Sequence, residues 1–278
     1  MASLFCAIIT VCVLAAPAWA VCSGGDDTAA LNALVQAGGE VVLPAGTCHV
    51  TSLNATNLIG AVIRGQGPGR TILIPTPGAW AAIVDLTGSY YVRLADLTIG
   101  TWYLGTTPIA PAGLLTAQRA GDMSSNRLVL DNVTISGCFS GWAWYNFGVA
   151  SSSVRDSAFW NFCGPAVTFT SSNIWGMWSQ YQALTPGIAY AADWKIVSTE
   201  MHADRVEGGA GSVTFVCAGC SSLRLIGCTL AGSGPALVWG QTVDGVAPGT
   251  VYTYGTFGYS DNGTPYGAFA SGVPVVSY

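Results

Sequence analysis

The densest group of side chains capable of acid–base chemistry lies between residues 193 and 207. The chain has 278 residues but only nine Lys and Arg and 14 Asp and Glu, and six of these charged residues fall in this short window. Together with one histidine, the group comprises Asp193, Lys195, Glu200, His202, Asp204, Arg205 and Glu207. Along a strand, Glu200, His202 and Asp204 would share one face because side chains alternate with a period of two.

A further carboxylate, Asp156, follows Arg155 in an earlier segment of similar pattern. Carboxylates held on neighbouring or next-neighbouring repeats span the separations used in acid–base hydrolysis of a glycosidic bond. We therefore predict catalytic roles for Asp156, Lys195, Glu200, His202 and Asp204. The alternative is a solvated outer face or loop that gathers charge without doing chemistry.

Aromatic residues form the second concentration, in the segment from 142 to 181. Aromatic rings stack on the apolar faces of sugars, while Tyr O–H and Trp N–H groups bond at the rim. The predicted carbohydrate-binding residues are Trp142, Trp144, Trp160, Trp175, Trp178 and Tyr181. The alternative is that alternate members, such as Trp142 and Trp144, stack inside the fold or meet a partner chain.

The elements that must position these residues are short apolar runs that recur along the chain. Taking Asp96, Asn132, Asp156, Glu200 and Gly227 as equivalent positions gives successive separations of 36, 24, 44 and 27. The value of 44 is two turns of 22, with a missing member near Trp178. Such a period, carried by β-branched runs rather than helices, predicts an all-β solenoid, a parallel β-helix. Asn132 is expected to join a ladder of stacked side chains at a turn.

The rest of the chain divides around this solenoid. Leu4 to Ala16 is apolar and precedes small residues that suit a cleavage site, so 1–20 is predicted to be a signal peptide, with no membrane segment after its removal. Residues 21–37 form an N-terminal cap with a short helix, which Asp26 or Asp27 begins and Gly38 ends. We assign 38–232 to the parallel β-helix and 233–278 to a C-terminal cap or tail.

The cysteines indicate which cross-links can form, and the net charge limits the classes of binding partner. Seven cysteines follow the signal, namely Cys22, Cys48, Cys138, Cys163, Cys217, Cys220 and Cys228. Cys138 and Cys163 are separated by about one coil, so they either stack on neighbouring coils or form a disulfide between them. The spacing of Cys217 and Cys220 suits zinc or redox chemistry, but with no second such pair nearby we predict a structural disulfide involving Cys228. A net charge of −5 and scattered cations argue against nucleic acid as a partner.

The region from 25 to 75 resembles the opening of the pectate-lyase superfamily, whose members are single-stranded right-handed parallel β-helices. The matching segments are Gly25-Asp26-Asp27-Thr28-Ala29-Ala30-Leu31, Gly39-Glu40-Val41-Val42-Leu43-Pro44-Ala45-Gly46-Thr47, Ile63-Arg64-Gly65-Gln66-Gly67 and Thr71-Ile72-Leu73. Cys48 stands where the family has Tyr, and the resemblance then implies a Cys22–Cys48 bridge across the capping helix. It also implies a secreted protein or one at a cell or virion surface.

The family contains polysaccharide lyases and hydrolases as well as phage tailspikes and tail fibres, so the implied partner is polysaccharide. Lyases of this kind use an Arg or Lys base with calcium, which makes calcium the one cofactor expected. The residue groups that mark pectinolytic hydrolases and calcium-dependent pectate lyases are missing from the sequence. Two functions are therefore predicted: a polysaccharide lyase or hydrolase, or a non-catalytic glycan-binding spike, fibre or adhesin. The tailspike resemblance makes a homotrimer an assembly to test, although 233–278 is short for the trimerisation domains of many tailspikes.

Overall fold

The structure is a computed structural model that describes residues 22–77, 81–101, 107–117, 127–147 and 153–163 and, from residue 164 onward, the strands β13 to β25 given below. The predicted signal peptide, 1–20, lies outside these residues. No helix in this part of the chain is long and apolar enough to cross a membrane.

One helix, α1, spans Thr28–Gln36 and buries Leu31 and Val35 against the first coil. The strands of the first coils are β1 Glu40–Val42, β2 Gly46–Val50, β3 Leu53–Asn54, β4 Val62–Arg64, β5 Thr71–Pro75, β6 Val84–Asp85, β7 Arg93–Gly100, β8 Ala110–Ala117, β9 Val129–Gly137, β10 Phe139–Phe147, β11 Ser153–Arg155, β12 Ala158–Asn161 and β13 Val167–Thr170. The later strands are β14 Gln180–Ala183, β15 Tyr190–Val197, β16 Thr199–His202, β17 Arg205–Gly208, β18 Ser212–Ala218, β19 Ser222–Ile226, β20 Thr229–Gly232, β21 Leu237–Gln241, β22 Thr250–Tyr254, β23 Phe257–Ser260, β24 Ala270–Ser271 and β25 Val275–Ser277.

The named strands pair in parallel and form three sheets. The first sheet follows the order β1-β4-β7-β9-β12-β14-β17-β20-β23, the second contains β3, β6, β8, β10, β13, β15, β18, β21 and β24, and the third contains β16, β19, β22 and β25. Strands pair with their equivalents one coil earlier and one coil later, so the chain advances through the same sheets repeatedly. The predicted fold class is confirmed as a parallel β-helix with a short N-terminal helix.

Parallel pairing continues past residue 232. Within the segment 233–278, β21 pairs with β18, β23 pairs with β20, and β25 pairs with β22. These strands extend the sheets of the preceding coils, so the segment assigned to a C-terminal tail carries parallel strands of its own.

The strand register tests the repeat found in the sequence. Thr98 pairs with Thr134, Thr134 with Ala158, and Ala158 with Gln180, which confirms the equivalence of Asp96, Asn132 and Asp156 two residues earlier. Gln180 then pairs with Arg205 and Arg205 with Thr229. Gly227 stands two residues before Thr229, so its alignment with Asp156 in the sequence repeat agrees with the register. Glu200 does not agree with the register, because it pairs with Arg224 on a separate sheet, and its assignment as a repeat mark is wrong by three positions.

Asp96, Asn132 and Asp156 occupy a corner where the backbone is left-handed. Their φ angles are +55°, +55° and +45°, a conformation that Asn and Asp tolerate better than most residues. The Asn132 amide donates a hydrogen bond of 2.7 Å to Oδ1 of Asp96, so the predicted side-chain ladder is present at this step. Asp156 follows one coil later and is exposed.

Packing at the same corner explains why Gly65 occurs in the segment Ile63-Arg64-Gly65-Gln66-Gly67. Gly65 follows Arg64 as Asp96 follows Ala95, and Arg64 and Ala95 pair in register. A Cβ built on Gly65 would lie 2.3 Å from the carbonyl oxygen of Asp96. Only glycine fits where the two coils approach so closely.

Apolar side chains at equivalent positions of successive coils stack into buried columns. Leu94, Leu130 and Val154 pair in register and are fully buried, each contributing on the order of 1.5–3 kcal/mol. The stacking of such columns gives the solenoid a continuous apolar core.

The structure contains the Cys22–Cys48 and Cys138–Cys163 disulfides. The second joins neighbouring coils, which confirms one of the two arrangements expected from its spacing. Cys217 lies in β18, whereas Cys220 and Cys228 lie outside the described residues, so their pairing stays a prediction.

The helix and the residues before it cover the open edge of the first coil. Asp27 donates its N–H to the His49 carbonyl at 2.7 Å, and its carboxylate accepts the His49 N–H at 3.0 Å. The Asn32 side chain accepts from the Asn54 N–H at 2.7 Å and donates to the Ser52 carbonyl at 3.1 Å. These groups occupy places that the strand of a preceding coil would otherwise take, which protects the edge from pairing with another chain.

Replacing Asp156 with Asn should raise the free energy of unfolding, whereas replacing it with Ala should lower it. An amide at this corner can donate to the side-chain oxygen of Asn132 and extend the ladder, a gain of about 0.5–1 kcal/mol. Alanine lacks the polar side chain that makes left-handed backbone tolerable, at a cost of about 1 kcal/mol. Denaturant unfolding of both variants measures this, and equal midpoints for them would contradict the ladder.

The Asp27 carboxylate should make the stability of the cap dependent on pH. Burial alone would raise its pKa, but hydrogen bonds from Ser23 and the His49 N–H outweigh burial and lower the pKa below the ordinary 3.8. The resulting stabilisation is fully present above pH 3.8 and disappears as the pH falls through the lower folded-state pKa. The gap in unfolding free energy between wild type and Asp27→Asn should therefore shrink in acid. A gap that is constant with pH would show that the charge of Asp27 contributes nothing.

Candidate functional site

The outer surface of the first sheet carries most of the exposed basic side chains in the described coils. Three columns on the outer side of this sheet run across successive coils, two residues apart: Gly60, Tyr91 and Arg127; Val62, Arg93, Val129 and Ser153; and Arg64, Ala95, Asp131 and Arg155, of which Ala95 is buried. We call this surface the arginine face, defined by Arg64, Tyr91, Arg93, Arg127, Asp131 and Arg155. It holds four of the chain's nine basic residues.

Two of these arginines are paired with carboxylates. Arg64 forms a salt bridge of 3.2 Å with Glu40, and both side chains remain about half exposed. Arg93 forms a close salt bridge with Asp131 of the next coil, where the carboxylate is the more buried partner. Exposed pairs of this kind contribute little to stability, typically about 0–1 kcal/mol. Their main effect is to fix the guanidinium groups on the surface.

Arg155 differs from them. It is exposed and lies directly opposite Asp131 in the register, but the Asp131 carboxylate is bound to Arg93 of the coil on the other side. Within the described coils Arg155 forms no salt bridge. A planar guanidinium that faces solvent suits recognition of a carboxylate or sulfate group.

The corner beside these columns presents an aromatic ring. Tyr91 is 58% exposed and has a left-handed backbone, with φ of +55°. The Arg127 guanidinium lies 5.5 Å from the ring centroid, within the range of a cation–π contact. The position beneath Tyr91, in the preceding coil, is Gly60, which has no side chain.

The predicted catalytic residues are distributed over separate parts of the fold. Asp156 is exposed at the left-handed corner beside Arg155. Lys195 lies in β15 of the second sheet, in register with Thr168 and Val216. Glu200 and His202 lie in β16 of the third sheet, opposite Arg224 and Ile226. Asp204 lies outside the described residues.

Asp156 and Glu200 lie in different sheets of the fold. Asp156 lies at the corner between β11 and β12 of the first sheet, whereas Glu200 lies in β16 of the third sheet. The stacking of these two carboxylates on adjacent coils stays a prediction.

The predicted carbohydrate-binding aromatics also separate into groups. Trp144 is fully buried, stacks on Phe159 with a centroid distance of 5.5 Å and donates its indole N–H to Thr116 Oγ1 at 2.9 Å. Trp144 therefore belongs to the core and offers no surface to a sugar, which corrects its assignment. Trp142 is half-buried, with its ring 6.5 Å from that of Tyr145.

Strand register gives the positions of two further predicted binding residues, Trp160 and Tyr181. Trp160 is half-buried and pairs with Ser136 and Gln182, and Tyr181 pairs with Phe159. Trp175 and Trp178 lie outside the described residues. Glu207, from the charged window, pairs with Gln182, so the register places it two coils from Trp160 in the same row of the first sheet.

No group of three His, Cys, Asp or Glu residues in the described part of the chain converges as a metal site. Three carboxylates there are engaged locally: Asp131 binds Arg93, Asp96 accepts from Asn132, and Asp27 binds the cap. The calcium expected from the family resemblance stays a prediction.

Sequence inspection misses Tyr91, Arg93, Arg127 and Asp131. Arg93 and Asp131 are far apart along the chain and share a surface only because β7 and β9 pair across an unusually long coil. A signal is present, since Asp131 and Arg155 are separated by one regular coil. Tyr91 carries no local signal because its exposure depends on a corner that the sequence does not reveal.

Comparison with known proteins supports the fold. No protein-family model matches the chain, and no curated protein matches it by sequence. Full-length tailspike protein 2 of an Escherichia coli O157:H7 bacteriophage is similar in structure, with 13% identity, a TM-score of 0.55 and coverage of 91% of this chain and 40% of the tailspike chain. The enzymatically active domain of bacteriophage CBA120 tailspike protein 2 gives 14% identity and a TM-score of 0.54, over 90% of this chain and 45% of the other.

This chain thus spans less than half the length of the tailspike structures it matches. An alginate lyase from Paenibacillus sp. strain FPU-7 has 15% identity over 92% of this chain and 98% of that chain, with a TM-score of only 0.45. At such identities a likeness shows the fold alone. The parallel strand order, the capping helix and the tailspike likeness agree that the chain has a parallel β-helix fold.

Proposed function

We propose that this protein is exported and binds an acidic polysaccharide along its arginine face. The observation that carries the proposal is Arg155, an exposed guanidinium in a column that also holds Asp131, whose carboxylate is already bound to Arg93. A protein with a net charge of −5 repels polyanions over most of its surface, so attraction requires a local concentration of arginine. The arginine face is the place in the described coils where four arginines share one surface.

The spacing of the face suits a polymer rather than a small ion. Coils repeat at about 4.8 Å, so Arg64 and Arg155, three coils apart in one column, are separated by about 14 Å along the helix axis, and Arg93 lies between them in the neighbouring column. An extended chain lying across several coils can meet Arg64, Arg93 and Arg155 in turn. The Arg64 and Arg93 pairs are surface salt bridges of small net strength, so exchanging a carboxylate partner for a ligand carboxylate costs little.

Export is supported by the two disulfides, because such bonds persist in oxidising compartments. The shared fold with a phage tailspike supports an extended binding surface, but a fold does not assign an activity. A cell-surface or virion-surface location and a homotrimer remain parts of this proposal to be tested with the intact chain.

Cleavage of the polysaccharide is a second candidate function. It is favoured by the register that sets Glu200 opposite Arg224, with His202 further along the same strand. A base, an acid and a cation on one strand pair are the residue types needed for proton transfer beside a sugar carboxylate. The non-catalytic alternative is a binding protein of the spike, fibre or adhesin kind.

Arg155→Gln should weaken binding to an acidic polysaccharide by about tenfold, since a hydrogen bond to a charged group is worth about 1.5–3 kcal/mol. Binding isotherms with polygalacturonate and alginate, and with neutral dextran for comparison, measure the effect. Wild-type affinity for the acidic polymers should fall as salt is added, because exposed charges are screened.

The matched control is Arg70→Gln, which removes the same charge from an exposed turn outside the three columns. Equal affinities for the two variants would contradict the proposed surface. The same samples, with and without calcium, are assayed for new reducing ends and for the near-ultraviolet absorbance of unsaturated products. Product that disappears in Glu200→Gln would establish cleavage, whereas binding without product would identify a binding protein.

A further inference from the structure

Tyr91 is held in a backbone conformation that its side chain disfavours. Among the described residues, five that are not glycine have positive φ, and the other four are Asn or Asp, namely Asn57, Asp96, Asn132 and Asp156. Those side chains tolerate the left-handed region, whereas a bulky aromatic there is an outlier. The equivalent residue one coil earlier is Gly60, with φ of +66°, which meets the same corner without strain.

Packing within the protein does not explain the tyrosine. Its side chain is 58% exposed, so more than half of it gains no burial in return for the strained backbone. Strained backbone conformations cluster at active sites and ligand-binding sites, and here the exposed group is a ring suited to stacking.

The Tyr91 ring has a cation from one neighbouring coil and open space at the residue of the other. Arg127 lies over the ring from the following coil, at 5.5 Å from its centroid. On the other side the column continues with Gly60, and a Cβ built on Gly60 meets nothing within 4 Å. Ile59, 75% exposed, stands beside this opening and bridges to Tyr90. An exposed aromatic residue, an exposed aliphatic residue and a glycine without neighbours therefore lie next to one another at this corner, and we call the space beside them the slot.

We infer that this slot is a subsite for one pyranose ring of the bound polysaccharide. The apolar face of the sugar stacks on the Tyr91 ring from the Gly60 side, and Ile59 contacts its edge. Arg127 polarises the ring from above and adds a guanidinium that can reach an acidic substituent of the sugar or of its neighbour. The slot lies at one side of the arginine face, with Arg93 two positions after Tyr91 in the chain, so a polymer that leaves the slot reaches the two neighbouring columns.

This inference rests on the proposed function and adds the position and kind of contact made by one sugar. A free amino acid or a peptide could also meet an exposed tyrosine, but the open space at Gly60, about 4.8 Å before Tyr91 in the column, and the arginine face beside it suit a flat ring within a continuing acidic polymer.

Four variants test the subsite through affinity for polygalacturonate and alginate, with thermal unfolding as a second measurement. Tyr91→Gly should unfold at the same or a higher temperature than wild type, because the strain is released, while its affinity falls about fivefold or more. Tyr91→Phe keeps the ring and should keep the affinity. Gly60→Asn fills the slot with a residue that tolerates positive φ and should weaken binding to a similar extent.

The fourth variant, Gly69→Asn, is the matched control. Gly69 also has positive φ, at +77°, and open space around it, but it lies in the turn before β5. This variant should bind as wild type does. Tyr91→Gly or Gly60→Asn with wild-type affinity, alongside a weakened Arg155→Gln, would overturn the subsite and leave the proposed function standing. If the wild-type protein binds neither polygalacturonate nor alginate, both the subsite and the proposed function are overturned.

Discussion

The structure depends on the parallel hydrogen bonding of each coil to the coils before and after it. In-register pairing fixes which residue lies above which, so a choice made at one position constrains the positions above and below it. Inward columns must be apolar, and the corner residues Asp96, Asn132 and Asp156 must all accept the same left-handed backbone. The outward columns are under no such demand, and their side chains are the ones available for binding.

The same constraint creates a problem at the ends, because an unpaired coil is an exposed sheet edge. Here the first coil is covered by polar side chains that imitate a strand: Asp27 meets His49, and Asn32 meets Asn54. The Cys22–Cys48 disulfide ties the covering segment to β2. The helix α1 contributes its apolar face as well. Closure of this edge thus combines covalent, polar and apolar contacts within one short segment.

The features that can be predicted from the sequence are those that pairing forces to repeat, namely the fold class and the corner shared by Asp96, Asn132 and Asp156. Prediction fails where spacing stops being regular. Composition aligns Glu200 with this corner, but the pairing of β14 with β17 puts the true equivalent of Asp156 three positions later. Trp144 points inward in β10, where the register shifts between neighbouring coils, and an aromatic-rich strand gives no compositional sign of which rings are buried. The arginine face escapes prediction for a related reason, because its columns join residues across coils of unequal length.

The arginine face shows how the proposed binding of a charged polymer is compatible with so few charged residues. A solenoid does not need many cations, because its register lines up those it has, and Arg93, Asp131 and Arg155 become neighbours although they come from three different coils. Asp131 lies between the two arginines and binds Arg93, which keeps that guanidinium fixed and leaves Arg155 without a salt bridge in the described coils. The acidic residue therefore organises the face rather than opposing it, and removing Asp131 would free a second guanidinium but lose its orientation. Geometry imposed by the backbone pairing, more than the number of charges, sets what this surface can bind.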